Sequence, residues 1–155
     1  MPIVLPTPRT VLRPGNPDTP AFRRWFGQSV VVDADGKPAV AYHGTKARFS
    51  VFCACADGNC FTTRRSSAAE YAGPAGIVMD VFLRIENPYV TDGAGWDGAA
   101  RSPWLVKEEG EHDGYIVENW AGGGHDMYIV FSPHQIKSVC ANSGDFDPAD
   151  PDIYR

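Results

Sequence analysis

Apolar residues along this chain fall into short runs, and nearly every run ends at a glycine or a proline. The clearest run is IVMDVFLRI (77–85), whose apolar, β-branched composition predicts a central strand that Asn87-Pro88 stops. DGYIVENW (113–120) and MYIVF (127–131) read as two further strands joined through Gly122-Gly123-Gly124. SVVVDADGKPAVAYHGT (29–45) places two apolar runs around Asp35-Gly36, which predicts a β-hairpin ending at Tyr42-His43-Gly44. Asn59-Cys60-Phe61-Thr62 and His134–Val139 predict short strands.

Helical spacing is rarer. In AFRRWFGQS, Phe22, Trp25 and Phe26 recur at i, i+3 and i+4, behind a Thr19 cap and a first-turn Pro20. SSAAEYA is a second helix, with Ser66 or Ser67 as its cap and Gly73-Pro74 as its stop. The acidic, glycine-containing stretch 92–112 leaves room for a short helix around Trp104. Residues 46–60 form a loop anchored by Phe49 and Phe52, and the tail GDFDPADPDIYR reads as a surface terminus. Strands without regular strand–helix alternation argue for an α+β fold with mostly antiparallel sheets and a few short helices. Residues 1–20, rich in proline, read as an extended arm before a domain over 21–155.

Composition narrows the class. A length of 155 residues, 43% hydrophobic and 21% charged, suits one globular domain. The net charge of -5 offers no general attraction to nucleic acid or anionic membrane. No run approaches a membrane span and the N-terminus lacks signal-peptide character, so the expected place of action is cytoplasm, of the producing cell or of a host. Cys53, Cys55 and Cys60 are spaced poorly for zinc and Cys140 lies far off, so reduced thiols and no metal are expected.

The candidate chemistry begins at His43-Gly44, a weak signal by itself. The glycine fingerprint of a doubly wound dinucleotide fold is absent, because no helix opens after Gly122-Gly123-Gly124. Weight comes from order: Tyr42-His43-Gly44-Thr45, then Cys60-Phe61-Thr62 with a helix carrying Tyr71, then Tyr128-Ile129-Val130-Phe131 running into Ser132-Pro133-His134-Gln135-Ile136-Lys137-Ser138. This order resembles the ADP-ribosyltransferases of the diphtheria-toxin and poly(ADP-ribose) polymerase type. More closely, it resembles the small ADP-ribosyltransferase modules of phage polyvalent proteins, in the W-F-G stretch at 25–38 and in residues 132–153.

The resemblance implies NAD+ as co-substrate, held in a cleft between two small, split sheets. It implies that His43 hydrogen-bonds a ribose hydroxyl of the adenosine half, that the Gly44 backbone meets the nicotinamide carboxamide, and that Thr45 adds a ribose contact. Tyr71 would stack on the nicotinamide. Two positions depart from the pattern. Cys60 stands where many relatives have a second stacking tyrosine, so that either Phe61 supplies that surface or the nicotinamide is held more loosely, and Met127 stands where polymer-forming relatives have a catalytic glutamate. Glu118 and Gln135 are the candidate polar groups facing the cleft.

The expected activity is therefore transfer of one ADP-ribose to a macromolecule, a protein ahead of nucleic acid, by a phage factor, toxin or delivered effector. An NAD+ glycohydrolase and an inactive NAD+- or protein-binding module are the alternatives. The loops 46–58 and 92–112 are the expected seat of acceptor choice.

Overall fold

The structure is a computed structural model, and it describes residues 19–93 and 101–155. Residues 1–18 of the arm expected at 1–20, and residues 94–100 of the connection at 92–112, lie outside the described residues.

Helix α1 (Pro20–Phe26) begins as the sequence predicts. The Thr19 hydroxyl accepts a hydrogen bond from the Phe22 amide at 3.2 Å and Pro20 opens the first turn. Its face of Phe22, Trp25 and Phe26 packs on Phe82, Val139 and Phe146.

The sheet then builds from β1 (Ala41–Thr45), β2 (Asn59–Thr62), β3 (Ile77–Leu83), β4 (Pro88–Asp92), β5 (Gly114–Glu118), β6 (Met127–Val130) and β7 (Ile136–Ser138), in the order β4-β5-β6-β2-β1-β3-β7. All neighbours are antiparallel except β4 and β5. Its two halves meet at β1 and β2, which share the single residue pair Tyr42–Thr62. Each half is well paired internally: β1 matches β3 over five residues and β2 matches β6 over four. The sheet is thus all but split at its middle. That is the α+β, mostly antiparallel architecture expected.

Several elements differ from their sequence reading. The Asp35-Gly36 turn forms, with the Asp33 carboxylate accepting from the amides of Asp35 and Lys37 at 2.8 and 3.0 Å. Its flanks meet through one bridge, Val32–Pro38, rather than a full hairpin. The second flank instead runs on to β1, whose edge is taken by the longer β3. Helix α2 (Arg65–Ala72) starts one residue before the serines. Arg64 is its cap residue and its side chain does not cap the helix; the chain turns straight from β2 into the helix with the Arg64 amide held by the Thr62 hydroxyl. Pro88, expected as a stop, also starts β4, an outer strand where a missing amide costs little.

Helix α3 (Pro103–Glu109) forms around Trp104 behind its Ser102 cap. The tail is more than a surface terminus, since Phe146 and Ile153 are buried in the two larger cores. Cys53 and Cys55 are joined as a disulfide, correcting the expectation of reduced thiols at those positions, while Cys60 and Cys140 are free. Among the described residues no helix is long and apolar enough to cross a membrane.

Candidate functional site

A cavity of about 490 Å³ opens where the sheet splits, between the β1–β2 junction, α2 and the turn before β6. His43 lies on β1 opposite Met79, half-buried, and its ring sits edge-on to Phe52 at 5.0 Å and against Phe61 at 5.3 Å. Phe49 meets the same ring at 6.2 Å and Phe52 at 4.7 Å. The anchoring aromatics of the 46–60 loop therefore form a box behind the histidine. Nδ1 of His43 lies 2.7 Å from the Cys60 carbonyl oxygen, so this nitrogen carries the hydrogen and donates across the split. Nε2 is left with the lone pair, an acceptor for a hydroxyl on a ligand. Burial lowers the His43 pKa, and the Cys60 carbonyl works in the opposite direction.

Gly44 lines the cavity and is buried. A Cβ here would collide with the Ala68 carbonyl of α2, so the absent side chain is what lets the helix lie against β1. One residue further on, Thr45 does not line the cavity, and its hydroxyl accepts from the Ala47 amide at 3.2 Å. Tyr71, on the outer turn of α2, is 82% exposed yet lines the cavity, so it is not a core aromatic. It stands as a free aromatic face at the mouth.

Cys60 and Phe61 both line the cavity but differ in kind. Phe61 is 2% exposed and packs on Phe52 as part of the core, which leaves little ring surface for stacking. Cys60 is exposed, and desolvation followed by the nearby Asp57 carboxylate raises its thiol pKa. Met127, paired with Thr62 and Val117, lines the cavity with an apolar side chain.

Glu118 and Gln135 lie outside this cavity. Glu118 is exposed at the end of β5, beside Asp92 of β4. Tyr128 feels its charge: burial first, then Asp126 and Glu118, raise the phenol pKa. Gln135 commits its whole side chain to backbone. Its oxygen accepts from the amides of Phe131 and Ser132 at 3.1 and 2.8 Å, and its nitrogen donates to the carbonyls of Arg84 and Asp113 at 2.8 and 2.7 Å. That side chain ties the ends of β3 and β6 to the start of β5.

The cavity also includes residues that the sequence did not single out, chiefly Tyr42, Ser67, Trp120 and His125. Tyr42 was readable as the strand neighbour of His43. Trp120 and His125 come from the β5–β6 turn, which reads as a flexible glycine link and gives no periodic signal. Among the described residues lining the cavity there is no carboxylate.

No curated protein and no solved structure gives a significant match to the chain. Residues 33–146 match the family described as ADP-Ribosyltransferase in polyvalent proteins, a span that contains β1 to β7 and every residue of the cavity. The chain belongs to that ADP-ribosyltransferase family.

Proposed function

We propose that this protein transfers a single ADP-ribosyl group from NAD+ to a macromolecular acceptor, a protein, with release of nicotinamide. One observation carries the reading: at the split of the sheet, an imidazole with a free acceptor nitrogen, a glycine backbone and an exposed tyrosine share one cavity. Its volume lies within the range of small-molecule sites, roughly 300–1,000 Å³.

In this reading Nε2 of His43 accepts a hydrogen bond from a ribose hydroxyl of the adenosine half. The Gly44 backbone meets the nicotinamide carboxamide, with Thr45 closing the strand beside it. Tyr71 stacks on the nicotinamide from one side, and Trp120, rather than the buried Phe61, offers the second aromatic surface. Such a contact contributes about 0.5–1.5 kcal/mol beyond area burial. Gln135 enters through the scaffold, and Glu118 stands outside the cavity.

The reaction breaks the bond between C1′ of the ribose and the nicotinamide nitrogen. The electron pair leaves with nicotinamide, which departs neutral, and C1′ takes on oxocarbenium character. A lone pair of the acceptor then forms the new bond. A neutral acceptor passes its proton to solvent; a carboxylate has none to give. Because Met127 brings no charge, an acidic acceptor supplies both the nucleophile and a negative charge beside the developing cation. The same absence favours single transfer over chain growth. Cytoplasm is the proposed place of action.

NAD+ labelled on the adenylate tests the reading. Label retained on protein supports transfer, free ADP-ribose shows a glycohydrolase, and saturable binding without turnover shows an inactive module. His43→Ala is expected to lower labelling by about 100-fold or more, the scale of losing one oriented polar contact. Full activity in that variant sinks the assignment of His43.

A further inference from the structure

We propose that Tyr42 is a catalytic residue of this site: its phenol hydroxyl hydrogen-bonds a hydroxyl of the nicotinamide-side ribose and turns an oxygen dipole toward the carbon that becomes cationic. The proposal rests on the NAD+ reading above.

The register of the sheet gives the cavity its floor. Tyr42 of β1 stands directly opposite Thr62 of β2, the one pair that joins the two halves, and Thr62 stands opposite Met127 of β6. Residues paired in this way present their side chains on one face of the sheet. All three line the cavity. So do Gly44 and Cys60, which lie two places along β1 and β2 and share that face. Helix α2 roofs it, since the Ala68 carbonyl lies where a Cβ of Gly44 would be. Tyr42 therefore enters the cavity from its floor.

Along this row the free polar group is the phenol. Met127 brings no hydrogen-bonding oxygen or nitrogen, and the Thr62 hydroxyl already accepts from the Arg64 amide at 3.1 Å. Cys60 offers only a thiol, a weak hydrogen-bonding group. Tyr42 is half-buried, and its phenol has no hydrogen-bond partner among the described residues. The buried side-chain polar atoms left without partners there belong to Asp80, Arg84 and His125, so the Tyr42 oxygen keeps contact with open space. A phenol is both donor and acceptor, so it meets a ribose hydroxyl in either sense.

Place and rigidity fit the role. Two cross-strand spacings separate Tyr42 from Met127, roughly 10 Å between their Cβ atoms, which is room for a ribose seated over Thr62. No carboxylate competes among the described lining residues, and His43 serves the other end of the ligand. Strand β1 is paired on both edges, over five residues with β3 and at Tyr42 itself with β2, so the ring hangs from fixed backbone. A tyrosine has only two side-chain torsions to fix, so its hydroxyl is preset at little entropic cost. In the step the bond from C1′ to nicotinamide breaks with its pair on nicotinamide. Phenol and ribose hydroxyl keep their protons. The contact orients the ribose and faces the growing positive charge with an oxygen.

The test uses the full chain with NAD+ and poly-L-glutamate, so that water and carboxylate are both on offer, and reads nicotinamide release and NAD+ affinity separately. Tyr42→Phe keeps the ring and deletes only the hydroxyl. It is expected to lower kcat by about 10- to 100-fold, with Kd changed less than about threefold. Because the oxygen has no partner in the free protein, the urea midpoint should stay at the parent value. Met127→Glu supplies a readout that a structural tyrosine would not move. Thr62 separates the two residues, so their substitutions add unless a ligand lies between them. Met127→Glu should raise the kcat of Tyr42→Phe at least about threefold more than it raises that of the parent.

Equal kcat in Tyr42→Phe and the parent overturns the role of Tyr42 and leaves the NAD+ reading standing. A rise in Kd with kcat unchanged does the same, placing the hydroxyl in binding alone. A lowered urea midpoint overturns it too, because the oxygen is then spent inside the fold. Strictly additive effects of Tyr42→Phe and Met127→Glu overturn the shared ribose on which the role depends. A parent that binds NAD+ without cleaving it leaves Tyr42 no reaction to serve, which overturns the role. A parent that does not bind NAD+ overturns both proposals.

Discussion

At the scale of single residues, the site is decided by which polar atoms are already spent. His43 donates through Nδ1 to Cys60, so its remaining capacity is one lone pair, and protonation would remove it. Burial sets the conditions under which that happens. The folded pKa lies below the ordinary 6.5, so between that value and the lowered one the unfolded chain holds a proton that the folded chain does not. The contribution of His43 to stability is therefore complete above about pH 6.5 and is lost as pH falls through this window. NAD+ affinity should follow the folded value: flat from pH 8 to about 6.5, then falling as Nε2 gains its proton. Kd measured by titration calorimetry across that range checks this. An affinity that rises on acidification would mean that Nε2 donates rather than accepts. Little of this was legible beforehand. The histidine was marked by its order in the chain, but its tautomer depends on a carbonyl seventeen residues away across the split.

Among the elements, the long apolar runs were readable, and the pieces held by contacts outside their own sequence were not. IVMDVFL became β3 because a buried strand needs only apolar composition. PYVTD became β4 through parallel pairing with β5, a partner more than twenty residues on, which no local pattern announces. The glycine turn before β6 reads as a flexible link from its sequence alone and is instead pinned, since its hydrogen bonds come from Arg64, Thr63 and Asp126. Gln135 shows the same logic in one side chain. Its place in the sequence points to the cleft, yet it bonds four backbone groups at the ends of β3 and β6 and the start of β5. Replacing it by alanine should destabilise the fold by about 2–4 kcal/mol, because several part-buried groups lose their partner at once. Urea unfolding measures the loss. Turnover per folded molecule should stay within about threefold of the parent, since the residue lies outside the cavity. A large fall in kcat with unchanged stability would return Gln135 to the reaction.

For the whole molecule, the C-terminal segment works as a brace for the site. Lys137, on β7, has no exposed surface, and its ammonium donates to the carbonyls of Asp150 and Asp152 at 2.9 and 3.2 Å. Those contacts hold the tail against the sheet. The tail then reaches the loop behind the histidine: the Ile153 amide donates to the Ser50 carbonyl at 2.8 Å, and Val51 bridges Asp152. Phe49 and Phe52, on either side of that contact, pack against the His43 ring. An unbroken chain of contacts thus runs from a buried lysine at one edge of the sheet to the imidazole at its centre. Burial lowers the lysine pKa, while Asp150, Asp147 and Asp152 pull it back up, so the charge is held in place by the segment it anchors. Lys137→Met keeps most of the apolar stem and deletes the charge. It leaves two carbonyls short of a donor, for an expected loss of about 2–4 kcal/mol. The loss should appear first at the tail and the 46–58 loop, as faster amide exchange there than in β3 or β5. His43 should respond as well, with a shifted imidazole signal in nitrogen-15 spectra and weaker NAD+ binding. If the tail loosens while the His43 signal and NAD+ affinity stay at parent values, the brace ends at Phe52 and the histidine is positioned by Cys60 alone.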